Sequence, residues 1–320
     1  MRPIPNLPAG LLLSLLTGLL LLVPGSAAQA QLATRSFLTV LWSDHVSKSP
    51  NPTPTSPVIG VDADIDAFFV GYGDQPEGRS VAIGADAHTP ISQLHFDWSR
   101  VVALVFDEPY TPDCNESTLA NDIDIDQALA ARAAELRAIA PATRFWVNFT
   151  DKQIRWMLDG FGCPYPYNKA YIDVISLDGY GQSFRQDLYE GLMGNPAKPS
   201  QQVAFVPGTF YAPKQDDQAD YLPEYFRAAD YYNQQYSLPL GDLRWTGTAD
   251  GCPVWMVLGW LAGNWNDGKG TQYYGMFDPS AGRVADIWRR EVAVPLRADL
   301  SHSVTRGQVI QAILPVLVDE

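Results

Sequence analysis

Val101-Val102-Ala103-Leu104-Val105-Phe106 is an unbroken apolar run rich in β-branched residues. A strand of that kind is covered on both faces, because a half-solvated strand would alternate with polar residues. The next segment, residues 124–140, changes period: Ile125, Leu129, Ala133, Leu136 and Ile139 fall on one helical face, and Pro141 stands just past its end. The same alternation recurs along the chain. Strand-like runs cover residues 37–42, 67–70, 145–147, 172–177, 203–206 and 254–258, and helix-period segments cover 153–158, 221–236 and about 281–292. A further strand is expected at 81–84 or at 243–246. Strand-helix units with doubly covered strands build a parallel sheet, and over a single domain of this length the expectation is a closed (β/α)8 barrel of the TIM type. The alternative is an open parallel α/β sheet, but no G-x-G-x-x-G follows any strand.

The first thirty residues stand apart from this pattern. Arg2 precedes an apolar run over 11–23, Pro24 and Gly25 break it, and Ala28-Gln29-Ala30 offers the small residues that a signal peptidase accepts. Residues 1–30 are therefore expected to be a signal peptide. Residues 31–320 then form one secreted or periplasmic domain, with a C-terminal extension from about 297, and no stable membrane insertion is expected after the leader is removed. Export would permit a disulfide, and of Cys114, Cys163 and Cys252 the first two lie in Pro-, Asn- and Gly-rich loops that favour their pairing. The chain carries 22 Lys and Arg against 36 Asp and Glu, a net charge of −14. That balance argues against nucleic acid as a partner, since phosphate binding needs clustered cations.

In a barrel, chemistry gathers where the C-terminal ends of the strands converge. The residues just past each run are Asp44 and His45; Asp107-Glu108-Pro109-Tyr110; Asn148 and Thr150; Asp178-Gly179-Tyr180; Thr209-Phe210-Tyr211; and Trp260, with Asn264 and Trp265 beyond it. Carboxylates, amides and aromatic rings dominate this set, and lysine is absent. Two carboxylates on strands two apart suit glycosidic bond cleavage, in which one protonates the leaving oxygen and the other acts as nucleophile or base. Glu108 is the expected general acid and Asp178 the expected nucleophile or base. Asp107 and Asn148 are expected to orient that pair or bind a hydroxyl, while Tyr110, Tyr180, Tyr211, Trp260 and Asp44 line the substrate site.

On Asp107-Glu108-Pro109-Tyr110, Asn148, Asp178-Gly179-Tyr180 and Trp260, the chain resembles the glycoside-hydrolase type of (β/α)8 barrel over residues 37–296. Families of that type place an acid beside Asn or Asp at the end of the fourth strand, another carboxylate on a later strand and a Trp after the eighth. The resemblance implies a hydrolase of a poly- or oligosaccharide. The Asn-Glu pair of the large retaining clan and a D-x-x-D-x-D-x-E run are both absent, so no single family is assigned. A non-catalytic barrel that binds glycan or protein through the same mouth is the alternative. An esterase or lyase lacks a nucleophile motif such as G-x-S-x-G, and neither the H-E-x-x-H of a zinc protease nor the G-x-x-x-x-G-K-[ST] of a nucleotide-phosphate site occurs.

No cofactor and no metal are expected, since His45, His88, His95 and His302 lack ligand spacing. Asp62-x-Asp64-x-Asp66 and Asp122-x-Asp124-x-Asp126 lack the Gly and Glu of a calcium loop, so they are expected to be solvated acids or helix starts.

Overall fold

The computed structural model describes residues 37–42, 67–70, 81–111, 117–159, 167–178, 183–198, 200–213, 218–237, 253–260, 265–266, 271–276 and 278–292. The proposed leader, the three cysteines, the possible strand at 243–246 and the C-terminal extension lie outside them.

Eight parallel strands close into a barrel. They are β1 (Leu38–Trp42), β2 (Ala67–Val70), β3 (Val81–Gly84), β4 (Val101–Asp107), β5 (Arg144–Phe149), β6 (Val174–Asp178), β7 (Gln202–Val206) and, after the short β8 (Phe210–Tyr211), β9 (Val254–Gly259). β3 is one of the two segments the sequence offers for the further strand. The ring closes through β1 and β9, with Leu38 opposite Met256 and Val40 opposite Leu258. Helices α1 (Leu119–Ile139), α2 (Asp151–Asp159), α3 (Gln186–Gly194), α4 (Gln218–Ser237) and α5 (Gly282–Val292) lie between or after the strands. The chain is thus a (β/α)8 barrel, and the open sheet is excluded by its closure.

Side-chain alternation divides the apolar residues into two layers. Val40, Val105, Trp146, Val174, Ala204, Met256 and Leu258 fill the interior. Leu41, Leu104, Phe106, Val147, Ile175, Phe205 and Val257 point outward and pack against the helices. The helical faces follow the sequence pattern, with Leu129, Ala133 and Leu136 buried on α1 and Val284, Ile287, Trp288 and Val292 buried on α5. Ile139 departs from it and is 45% exposed. It ends the last turn of α1, where Ala140 takes the buried position instead.

α5 lies directly on the backbone of β9. A Cβ at Gly259 would stand 2.7 Å from Thr209 Cγ2 and 2.9 Å from the Trp288 ring, closer than real Cβ contacts come. Gly259→Ala should therefore force Trp288 outward and cost about 1–3 kcal/mol, read as a lower midpoint in thermal or urea unfolding.

The N-terminal end of the barrel is tied by Asp173, which is buried just before β6. Its carboxylate accepts from Lys198 Nζ at 2.5 Å, from the Phe145 backbone N–H at 2.8 Å and from the Arg137 guanidinium. One side chain thereby joins the end of α1, the start of β5 and the approach to β7. Burial alone would raise its pKa, but the ammonium, the backbone N–H and the guanidinium outweigh burial and hold it below the usual carboxylate range. A carboxyl whose folded value is depressed adds stability above its unfolded value, near 3.9, and that stability fades as pH falls towards the folded value. Asp173→Asn should lose about 2–4 kcal/mol at pH 7, and the deficit should shrink steadily as unfolding is measured from pH 5 down to pH 2.

Candidate active site

Alternation along three adjacent strands aims three polar side chains into one opening. On β4, Ala103 and Val105 face inward and Leu104 and Phe106 outward, so Asp107 faces inward. On β5 the inward Trp146 places Asn148 inward, and on β6 the inward Val174 places Ser176 and Asp178 there. Asp107 is in register with Asn148, and Asn148 with Ser176. Asn148 is 4% exposed and its Nδ2 donates to Asp107 Oδ1 at 2.8 Å and to Asp178 Oδ1 at 2.7 Å. A planar amide nitrogen points its two hydrogens about 120° apart, so the two acceptor oxygens stand about 5 Å from each other. Asn148, expected to orient the acids or bind a hydroxyl, has both amide hydrogens engaged by them. Behind it, Ser176 Oγ lies 2.6 Å from Asn148 Oδ1 and Trp146 Nε1 lies 2.7 Å from Ser176 Oγ, both contacts buried.

Glu108 reaches the same opening by a different route. Continued alternation would send it outward, but its φ is +42°, the left-handed region that side chains with a Cβ rarely occupy. Its backbone N–H still donates to the Asn148 carbonyl at 3.0 Å. Its carboxyl makes a hydrogen bond with that of Asp178. The chain beyond it is anchored from the helix layer. Asp122 accepts from the Thr111 backbone N–H at 3.0 Å and from its hydroxyl at 2.7 Å, while Gln153 Nε2 donates to the Thr111 carbonyl at 3.0 Å. These bonds hold the turn that carries the strained residue.

The cluster is electrostatically uneven. Burial, followed by the charges of Asp107 and Glu108, pushes the Asp178 carboxyl well above its ordinary range, and the Asn148 N–H only partly opposes this. The shared hydrogen bond with Glu108 acts in the same direction as burial. Asp178 thus keeps its proton where an isolated aspartate has lost it. Glu108, expected as the general acid, and Asp178, expected as the nucleophile or base, thus meet in hydrogen-bond contact at the same opening.

The aromatic residues divide. Trp260 is 8% exposed and packs edge-on to Phe210 and Tyr273, with centroids 5.2 and 6.0 Å away. Tyr211 is half-buried and stacks with Tyr274 at 6.3 Å. These rings belong to, or rest on, a small antiparallel sheet of β8, β10 (Trp265–Asn266) and β11 (Gln272–Gly275), tied to the ends of β7 and β9 by the Thr209 N–H to the Trp260 carbonyl. Tyr110 is a correction. It is 3% exposed and lies in the outer layer, stacked on Phe149 at 5.8 Å, with its hydroxyl donating to Asp126 at 3.3 Å. It builds the wall and cannot meet a ligand in the opening. Asp44 and Tyr180 lie outside the described residues.

Sequence reasoning missed Ser176 and Trp146, although counting alternate residues back from Asp178 and Asn148 would have found both. It also missed Tyr273 and Tyr274, whose strand is too short to carry a period. Asp122 and Asp126 lie one turn apart on α1 and accept from hydroxyls of Thr111, Tyr167, Tyr110 and Tyr171. Asp122 stands in the first turn of α1, as a helix start was expected to, and both acids anchor the helix layer rather than facing solvent. Among the described residues, no group of three His, Cys, Asp or Glu is arranged to hold a metal ion.

No protein-family profile matches the chain, and no curated protein does. Solved structures similar to it include the GH53 catalytic domain of Ignisphaera aggregans, with 10% identity and a TM-score of 0.41 over 81% of this chain and 92% of that one. The spore cortex-lytic enzyme SleL of Bacillus cereus is similar at 8% identity and a TM-score of 0.29, over 86% of this chain and 75% of that one.

A carboxyl with a raised folded pKa destabilises the fold as pH rises from its unfolded value through the folded one. Asp178→Asn should therefore raise the thermal midpoint at pH 7–8 by about 2–4 °C, equivalent to about 1 kcal/mol, and leave it unchanged near pH 3. Scanning calorimetry at the two pH values checks this.

Proposed function

We propose that this barrel is an exported glycoside hydrolase that cleaves a poly- or oligosaccharide, with Asp178 as general acid and Asp107 as the ionised partner. The observation that carries this reading is one amide, Asn148, binding two carboxylates about 5 Å apart, one of which burial and like charge push towards its protonated form. Glycosidic cleavage needs that asymmetry. Asp178 gives its proton to the leaving oxygen while Asp107 attacks the anomeric carbon or takes a proton from water. A separation of about 5 Å suits direct attack, and therefore retention, since inversion leaves room for a water between carboxyls about 6.5–9.5 Å apart. Glu108 shares the Asp178 proton in the free protein and is displaced from it as the leaving oxygen arrives. The half-buried Tyr211 and the edge of Trp260 supply apolar surface for a sugar face. The acidic chain disfavours nucleic acid as a ligand. Among the described residues no helix is long and apolar enough to cross a membrane.

The test is reducing-end release from a panel of glycans by residues 31–320, with the product anomer followed by NMR. Asp178→Asn and Asp107→Asn should each lower kcat by about 10²–10⁴-fold. On aryl glycosides with good leaving groups, Asp178→Asn should recover much of its rate and Asp107→Asn should not. Binding of glycans without cleavage, unaffected by either substitution, would instead identify a non-catalytic binding barrel.

A further inference from the structure

The hydrogen bonds behind Asn148 run in one direction. An indole nitrogen can only donate, so Ser176 Oγ accepts from Trp146 Nε1 at 2.7 Å. The single hydroxyl hydrogen of Ser176 is then committed to Asn148 Oδ1 at 2.6 Å. An amide whose oxygen is held in this way turns both Nδ2 hydrogens to Asp107 and Asp178. The reversed amide would set its oxygen against two carboxyls and its NH2 against a hydroxyl that already has a donor. All three relay residues are at most 4% exposed, so water does not take over any link.

We propose that Trp146 and Ser176 are positioning residues of this site, forming a one-way relay that fixes the amide of Asn148 and so sets the spacing of Asp107 and Asp178. The relay lies beneath the site and touches no ligand. It deepens the hydrolase reading and rests on it only for its effect on turnover. Asp178 is faced by Asp107 and Glu108 from β4 and the turn after it and by Asn148 from β5; the Tyr189 hydroxyl of α3 and the Tyr225 hydroxyl of α4 also feel its charge. Among these described residues none is cationic, and the Asn148 N–H is the contact that favours an ionised Asp178. Without the serine hydroxyl, the buried amide oxygen lacks its donor and turns to the Asp178 proton.

The experiment is a side-chain carboxyl ¹³C titration of the full chain, with the Asp178 signal identified by its loss in Asp178→Asn. Ser176→Ala should move that titration upward by about one pH unit. Ser176→Thr, which keeps the hydroxyl, should restore it. Ser176→Cys, nearly isosteric with a weaker donor, should give a smaller upward shift and serves if the alanine variant does not fold. A titration unmoved in folded Ser176→Ala or Ser176→Cys overturns the relay, whatever the activity. A shifted titration in a protein that cleaves no glycan keeps the relay and removes the hydrolase reading. If glycan is cleaved, the alkaline limb of the pH–kcat profile should move upward with the titration, which a general loss of stability would not produce.

Discussion

Closure of the sheet governs everything at the opening. Each of the eight strands is paired on both sides, so no strand can slip by one residue without turning its interior side chains towards the helices and its outer ones into the barrel. Trp146, 0% exposed, and the Val105, Met256 and Leu258 side chains around the axis make such a slip prohibitive. The register that suits these apolar residues also fixes where Asp107, Asn148 and Asp178 point. Packing deep in the barrel and placement of acids at its mouth are one constraint acting at two heights.

The two ends of the barrel use carboxylates in opposite ways. At the N-terminal end, Asp173 sits between an ammonium and a guanidinium, and its charge draws three segments together. At the C-terminal end, Asp107, Glu108 and Asp178 meet at one opening, and the arrangement persists because neighbouring structure holds it. Asn148 bridges two of the acids, and the bonds from Asp122 and Gln153 to Thr111 fasten the chain that bears the third. Stabilising interactions at one end offset a local arrangement of acids at the other that is unfavourable by itself.

Much of this was legible in the sequence, for a physical reason. A strand covered on both faces is apolar nearly to its end, so the polar side chain after Phe106, Val147 or Leu177 marks a barrel opening. The same rule misleads past the strand end. Tyr110 follows Glu108 by two residues, but the left-handed backbone between them and the stack on Phe149 send its ring into the wall. The proton affinity of Asp178 was equally hidden, because it depends first on burial in the folded barrel and then on Asp107 and Glu108 brought from another part of the chain. Glu108 was legible as an acid but not as one turned against its parity, since φ at 108 is set by contacts from α1 and α2 that no local pattern records.

The +42° backbone at Glu108 has a consequence for anyone who varies this position. Because the chain direction, rather than a choice among rotamers, delivers the carboxyl, residue identity and backbone shape are read out together in any substitution series. Glycine, asparagine and aspartate accept that conformation readily, whereas valine or isoleucine oppose it. A saturation library at 108 would therefore rank residues by their tolerance of the turn as well as by their chemistry. Only swaps of similar shape, such as Glu to Gln, isolate the charge. Lineages that lost the acid at this point while keeping the turn would be expected to carry glycine or asparagine there.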